Sequence, residues 1–143
     1  MSEKVLSGHC LCGAIEVTLT NPKDHVEICH CDMCRRSGGA FYGALEAEGF
    51  AYASEEFVGV YRSSEWAERG FCKQCGSSLF YHFMPTGSRS FAAGLFDGAN
   101  GLPVSREIFV EEKSAWQAGD GNHPKMTGEE VIAEAKAAGF TFD

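Results

Sequence analysis

Seven cysteines stand at ligand spacing: Cys10-x-Cys12, Cys29-x-Cys31, Cys31-x-x-Cys34 and Cys72-x-x-Cys75, with Cys31 shared by the middle two. Such spacings let neighbouring thiolates converge on one metal ion, and they are poor spacings for a disulfide framework. The number is informative too. Four thiolates close a tetrahedral zinc site, and three leave a second zinc with an open position. A closed site holds a fold together, whereas an open one can do chemistry.

Gly13 follows the first pair and Gly76 the last. A chain wrapping a metal turns sharply and aims backbone N–H groups at sulfur, which glycine tolerates. Two such knuckles from distant strands would place Cys10, Cys12, Cys72 and Cys75 on one structural zinc that staples the sheet. The middle run, Cys29-His30-Cys31-Asp32-Met33-Cys34, offers three thiolates through a strand-to-helix turn. The helix N-terminus is expected to stabilise the Cys34 thiolate, and Arg35 and Arg36 add positive charge nearby. A zinc on Cys29, Cys31 and Cys34 keeps a fourth position for water, a thiolate or an oxygen.

The competing arrangement is a second closed site with a histidine as fourth ligand. His30 lies between two ligands, so its side chain is expected to point away from the metal. His82 sits in a β-prone run and reads as a satisfied strand histidine. A metal-free redox Cys-x-x-Cys would want a βαβ setting that this chain lacks. His9, His25 and His123 fall in loops or termini and receive no role.

A chain of 143 residues with 44% hydrophobic residues and 11 Phe predicts one globular domain over 1–143. The Phe and Tyr residues read as core and sheet cover. No apolar run approaches the ~20 residues that span a bilayer. The N-terminus, MSEKVLSGHCLCG, does not read as a signal peptide. Reducing cytoplasm is therefore the expected compartment, where dense cysteine points to metal or catalysis. A net charge of −8 argues against nucleic-acid and membrane partners. Small molecules are the expected partners.

Residues 13–20 alternate and predict a strand, as do Val26–Cys29, Ala40–Ala47, Phe57–Arg62, Glu65–Phe71, Ser78–Phe83, Phe91–Ala93 and Glu107–Val110. Asp32–Ser37 predicts a helical turn ended by Gly38-Gly39. Met84-Pro85-Thr86-Gly87 predicts a turn, and 94–101 a loop. Residues 127–139 predict a C-terminal helix with a Thr127/Glu130 capping box and a shared face of Val131, Ile132, Ala135 and Ala138. The fold class is mainly β.

In order, the motifs are Gly8-x-Cys10-x-Cys12-Gly13, Cys29-His30-Cys31-x-x-Cys34-Arg35, Ser37-Gly38-Gly39-Ala40 and Phe71-Cys72-x-x-Cys75-Gly76-Ser77-x-Leu79. This set resembles the glutathione-dependent formaldehyde-activating enzyme family, also called the centromere-protein-V/GFA domain family, across roughly residues 5–116. The resemblance implies small stacked antiparallel sheets and two zincs per chain. One would be structural, on Cys10, Cys12, Cys72 and Cys75, and the second would sit on Cys29, Cys31 and Cys34. It also implies carbon–sulfur lyase activity, adding glutathione to formaldehyde. On that reading Cys29, Cys31 and Cys34 are catalytic, and Arg35 or Arg36 could hold a glutathione carboxylate or offset thiolate charge. Glu107 departs from the family pattern, standing where a His is frequent, which leaves room for a different substrate. The alternative is a non-catalytic zinc-containing binding module or glutathione carrier.

Overall fold

The computed structural model describes residues 3–117 and 122–141. Its strands are β1 (Val5–His9), β2 (Glu16–Pro22), β3 (Val26–Cys29), β4 (Tyr42–Tyr52), β5 (Val58–Arg62), β6 (Ala67–Cys72), β7 (Ser78–Phe83), β8 (Ser88–Ala92) and β9 (Val104–Ile108). Two helices, α1 (Asp32–Gly38) and α2 (Gly128–Ala137), complete the regular structure, with short 3-10 turns between.

The long strand β4 organises the sheet. Its second half pairs antiparallel with β2, which in turn pairs with β1. Its first half pairs antiparallel with β3 on one side and β8 on the other. From β8 an antiparallel meander runs through β7 and β6 to β5. Side chains alternate across a strand, so each sub-sheet has one apolar face to cover. Val17 and Leu19 of β2, Leu45 of β4, Leu79 and Phe80 of β7 and Phe91 of β8 meet in one core. The Phe91 ring lies 5.2 Å from that of Phe50 and 5.9 Å from that of Phe80, locking β4, β7 and β8 together.

The mainly antiparallel architecture with a C-terminal helix is the one the sequence predicts. Several details differ. β3 and β9 run parallel, and this pairing carries β9 to the side of the second cysteine cluster. β1 was not anticipated: a short strand containing Gly8, it is held by its register against β2. The strand predicted from residue 13 begins at Glu16, because residues 11–14 form the turn of the first knuckle. β4 extends to Tyr52, past the predicted Ala47, since β2 supplies a partner for the extra length. β9 precedes its predicted position, ending at Ile108, because Phe109 adopts a left-handed φ of 57° that breaks the strand.

The predicted 94–101 loop contains two 3-10 turns flanking Phe96, which is fully buried and completes the core beside Leu95 and Ala99. The α2 capping box forms as expected, with Glu130 N–H donating to Thr127 Oγ1 at 3.2 Å. The face bearing Val131 and Ile132 is exposed. No helix among the described residues is long and apolar enough to cross a membrane.

Candidate metal centres and the adjoining cleft

The Cys10/Cys12 and Cys72/Cys75 knuckles repeat one backbone pattern. Cys10 N–H donates to the Ile15 carbonyl (3.1 Å) and Cys72 N–H to the Ser77 carbonyl (2.9 Å), five residues on in each case. Gly13 and Gly76 close the turns back to the first cysteine's carbonyl, with φ of 80° and 83°. A residue with a Cβ is strained at those angles. Leu11 N–H donates to Ser77 Oγ at 3.0 Å, tying one knuckle to the other.

The four sulfurs lie within 4.8 Å of one another. Cys10 and Cys12 sulfurs are 3.6 Å apart, and those of Cys12 and Cys72 are 3.8 Å apart. A tetrahedron of sulfurs at the zinc–thiolate distance has an edge of about 3.8 Å, so the donor set fits zinc. A disulfide needs about 2.05 Å, and all seven cysteines are free. Backbone N–H groups aim at the sulfurs: Ile15 at Cys10, and Gln74 and Cys75 at Cys72, each at 3.4 Å. The Ser77 hydroxyl, 3.2 Å from Cys75 sulfur, is the leading reason the Cys75 thiol is held down to about 5. For Cys10, burial works against ionisation, but the Ile15 N–H and the Cys12 and Cys72 thiols outweigh it and lower its pKa.

The sulfurs of Cys29, Cys31 and Cys34 also lie within 4.8 Å of one another, where β3 gives way to α1. Among the described residues, no histidine joins this group. Three soft donors on one side of a metal fit zinc with a position left over. Cys31 is the N-cap of α1, and its sulfur accepts from Cys34 N–H at 3.4 Å. The helix terminus thus supports Cys31, not the expected Cys34. Cys34 is served by Arg69, whose Nη2 donates to its sulfur at 3.5 Å while Nη1 donates to Ser37 Oγ at 3.0 Å. Burial raises the thiol pKa of both Cys29 and Cys34, and Arg69 opposes it at Cys34.

His30 points away from the cluster, as expected, and is only 1% exposed. Its Nε2 lies 2.8 Å from Glu107 Oε1 on β9. Glu107 is thus the partner that braces the residue between two candidate ligands, and the His30 contact is the main cause of its lowered carboxyl pKa. His82 meets Glu68 Oε1 at 2.8 Å across the β6–β7 pair, a satisfied strand histidine.

A cleft of about 500 Å³ opens beside the three cysteines. Cys29, Cys31 and Cys34 form part of its wall, with Tyr42, Trp66, Arg69, Tyr81 and Phe109 among the other lining residues. The Arg69 guanidinium stacks 4.9 Å from the Tyr81 ring centre and 6.0 Å from that of Tyr42. Tyr42 is buried and its hydroxyl donates to the Ser90 carbonyl. Arg35 and Arg36 do not line this cleft. Arg36 pairs instead with Asp32 at 3.5 Å, one turn back on α1. Arg69, which does line it, was not picked out from the sequence. Its only sequence signal is a basic residue in a strand two positions before Phe71-Cys72.

These features define a β-rich domain with one closed thiolate centre and a second, three-thiolate centre facing a cleft. A family model described as glutathione-dependent formaldehyde-activating enzyme matches residues 5–112, and the chain belongs to that family. An uncharacterized lyase of Schizosaccharomyces pombe is 32% identical over 108 residues, covering 74% of this chain and 79% of its own. A Halomonas elongata protein, provisionally named a glutathione-dependent formaldehyde-activating enzyme, is 26% identical over 124 residues, covering 78% and 79%. The crystal structure of a Rhodobacter sphaeroides protein shares the fold at a TM-score of 0.54 and 20% identity, covering 70% of this chain and 100% of that one. By family the chain is an enzyme of the lyase kind.

Proposed function

We propose that this protein is a carbon–sulfur lyase that adds a small-molecule thiol, glutathione in the family's reaction, to formaldehyde or a related small aldehyde. Cys29, Cys31 and Cys34 form the reactive centre. The observation that carries this reading is the contrast in donor number: three sulfurs converge within 4.8 Å on the wall of a cleft, while the other four make a full set for one ion. Zinc held by Cys29, Cys31 and Cys34 would offer a fourth position where an incoming thiol is kept as thiolate at neutral pH. A second zinc, on Cys10, Cys12, Cys72 and Cys75, is structural.

The reaction forms one carbon–sulfur bond as the carbonyl π bond opens. The proton lost from sulfur is balanced by the one gained at oxygen, so no redox partner is needed. The residues of the chain set the stage. Arg69 offsets the charge of the three thiolates and fixes Cys34 through its 3.5 Å contact. Arg35 and Arg36, next to Cys34, add longer-range compensation. The His30–Glu107 brace holds the backbone between Cys29 and Cys31 against β9. Arranging two reactants in one cleft lowers the entropic part of the barrier. Seven free thiols suit a reducing compartment, and we place the protein in the cytoplasm.

The test is formaldehyde–glutathione exchange followed by NMR, with wild type and Cys29→Ser. Faster exchange with wild type alone supports the assignment. Exchange no faster than in buffer, with glutathione and with other small thiols alike, ends it.

A further inference from the structure

The lining of the cleft has a charge imbalance that points to the kind of thiol it accepts. Glutathione at neutral pH carries two carboxylates and one ammonium. Among the described residues lining the cleft, Arg69 is the one Lys or Arg. Two of its five N–H donors already go to Cys34 sulfur and Ser37, and its face stacks on the Tyr81 ring. Glu27, Asp32, Glu46 and Glu112 also line the cleft.

Two of these carboxylates are matched. Glu27 pairs with Arg106 at 2.8 Å and Asp32 with Arg36 at 3.5 Å. The other two are not matched one to one. Arg106 also feels Glu46, so a single cation is shared between two carboxylates. Glu46 otherwise meets the Ser90 hydroxyl at 3.5 Å, and Glu112 Oε1 accepts the Asp32 N–H at 3.2 Å. Three thiolates on a zinc would add a further negative charge.

Aromatic rings complete the pattern. Trp66 and Phe109 line the same cleft and are about half exposed, at 46% and 49%. Phe109 keeps its place through a left-handed backbone (φ 57°) that is uncommon for a residue with a side chain. Carboxylates beside open aromatic faces recognise an ammonium group through Coulomb and cation–π attraction. They repel a carboxylate.

We propose that the thiol selected by this cleft carries a net positive charge, an aminothiol or a carboxyl-blocked peptide thiol, and that glutathione is a weaker ligand. This rests on the assignment of Cys29, Cys31 and Cys34 as the thiol-accepting centre. It goes beyond that assignment by naming the charge class of the substrate.

The probes are two matched pairs: cysteamine against 3-mercaptopropionate, and glutathione diethyl ester against glutathione. Binding is read from Trp66 fluorescence in zinc-loaded Trp116→Phe protein, and reaction from adduct formation with formaldehyde. Each cationic thiol is expected to bind about ten-fold tighter than its anionic counterpart at low salt, and the gap to narrow at high salt. Glu46→Gln and Glu112→Gln should each shrink it about two- to five-fold, as suits partly exposed charges. Those variants leave the probes' own thiol acidity unchanged, so they isolate the cleft's charge. Equal or tighter binding of the anionic thiols, with adduct formation still accelerated, overturns the charge inference alone. So does a gap that persists unchanged in both Gln variants. A cleft that binds no thiol and accelerates no adduct overturns the lyase assignment as well.

Discussion

The two cysteine groups offer the same sulfur donors and differ in what supports them. In the closed centre, main-chain N–H groups from Ile15, Gln74 and Cys75 point at sulfur from the chain's own turns. Two knuckles from strands distant in sequence are tied directly, Leu11 N–H to Ser77 Oγ. In the open centre all three sulfurs come from one short segment. One main-chain N–H, that of Cys34, serves Cys31 sulfur there, and the rest of the support arrives from remote side chains: Arg69 on Cys34 and Glu107 on His30. A centre that joins distant segments stabilises the fold. One confined to a six-residue segment joins little, and its ligands can face a cleft at small cost to stability. That difference is what the following experiments attack.

The largest effect belongs to the closed centre. Cys72 is buried and bridges the sheet to the first knuckle. Structural zinc contributes on the order of 10 kcal/mol in small metal-dependent domains. Cys72→Ser is therefore expected to lower the melting temperature by at least about 10 °C, or to leave the chain unfolded, as read by circular dichroism. Chelator titration should release metal in two steps, the first without loss of structure and the second with unfolding. A single step that unfolds the protein at once would erase the distinction between the centres.

Next comes Cys29→Ser. It should cut any thiol–aldehyde activity by about 100-fold or more while moving the melting temperature by less than about 3 °C. Loss of the fold instead would make both centres structural and favour a binding module.

How far the sequence reveals this contrast follows from the range of the interactions involved. The knuckles, the α1 turn with its Gly39 stop and the Ser78–Phe83 strand are all written in local spacing, and they form as read. The two ligand groups fall out of Cys-x-Cys and Cys-x-x-Cys spacing for the same reason. Arg69 was illegible because its role depends on β6 register and on α1 docking 35 residues away in sequence. Arg35 and Arg36 looked like the cleft's cations by adjacency to Cys34. One turn of helix places them off its lining and lets Asp32 take Arg36. Glu107 was visible as a departure. Its partner became apparent only through the parallel β3–β9 pairing, which no local pattern announces. Phe96 reached the core from a stretch that reads as loop, because burial there is set by strands on either side.

The contrast in support predicts effects that separate by centre. Arg69→Met should weaken metal at the open centre about ten-fold in a competitive chelator titration and leave the closed centre unchanged, since second partners of ligands typically matter by that much. Losing metal equally from both centres would show that Arg69 acts through the fold.

The smallest expected effect is Ser77→Ala. Its hydroxyl accepts the Leu11 N–H at 3.0 Å and lies 3.2 Å from Cys75 sulfur, so one oxygen serves both knuckles. Removing it leaves Leu11 N–H exposed enough to find water, which limits the cost to about 1 kcal/mol, or about 3 °C in melting temperature. Activity at the open centre should not change, because neither knuckle contributes a sulfur to it. A fall in activity matching that of Arg69→Met would mean that strain at the closed centre reaches the cleft. The route available is the Ser78 hydroxyl, which donates to the Ser37 carbonyl at 3.0 Å, one residue from the Ser77 substitution and three from Cys34. Ser78→Ala alone, by cutting that link while sparing both knuckles, distinguishes coupling through this bond from a general loosening of the fold.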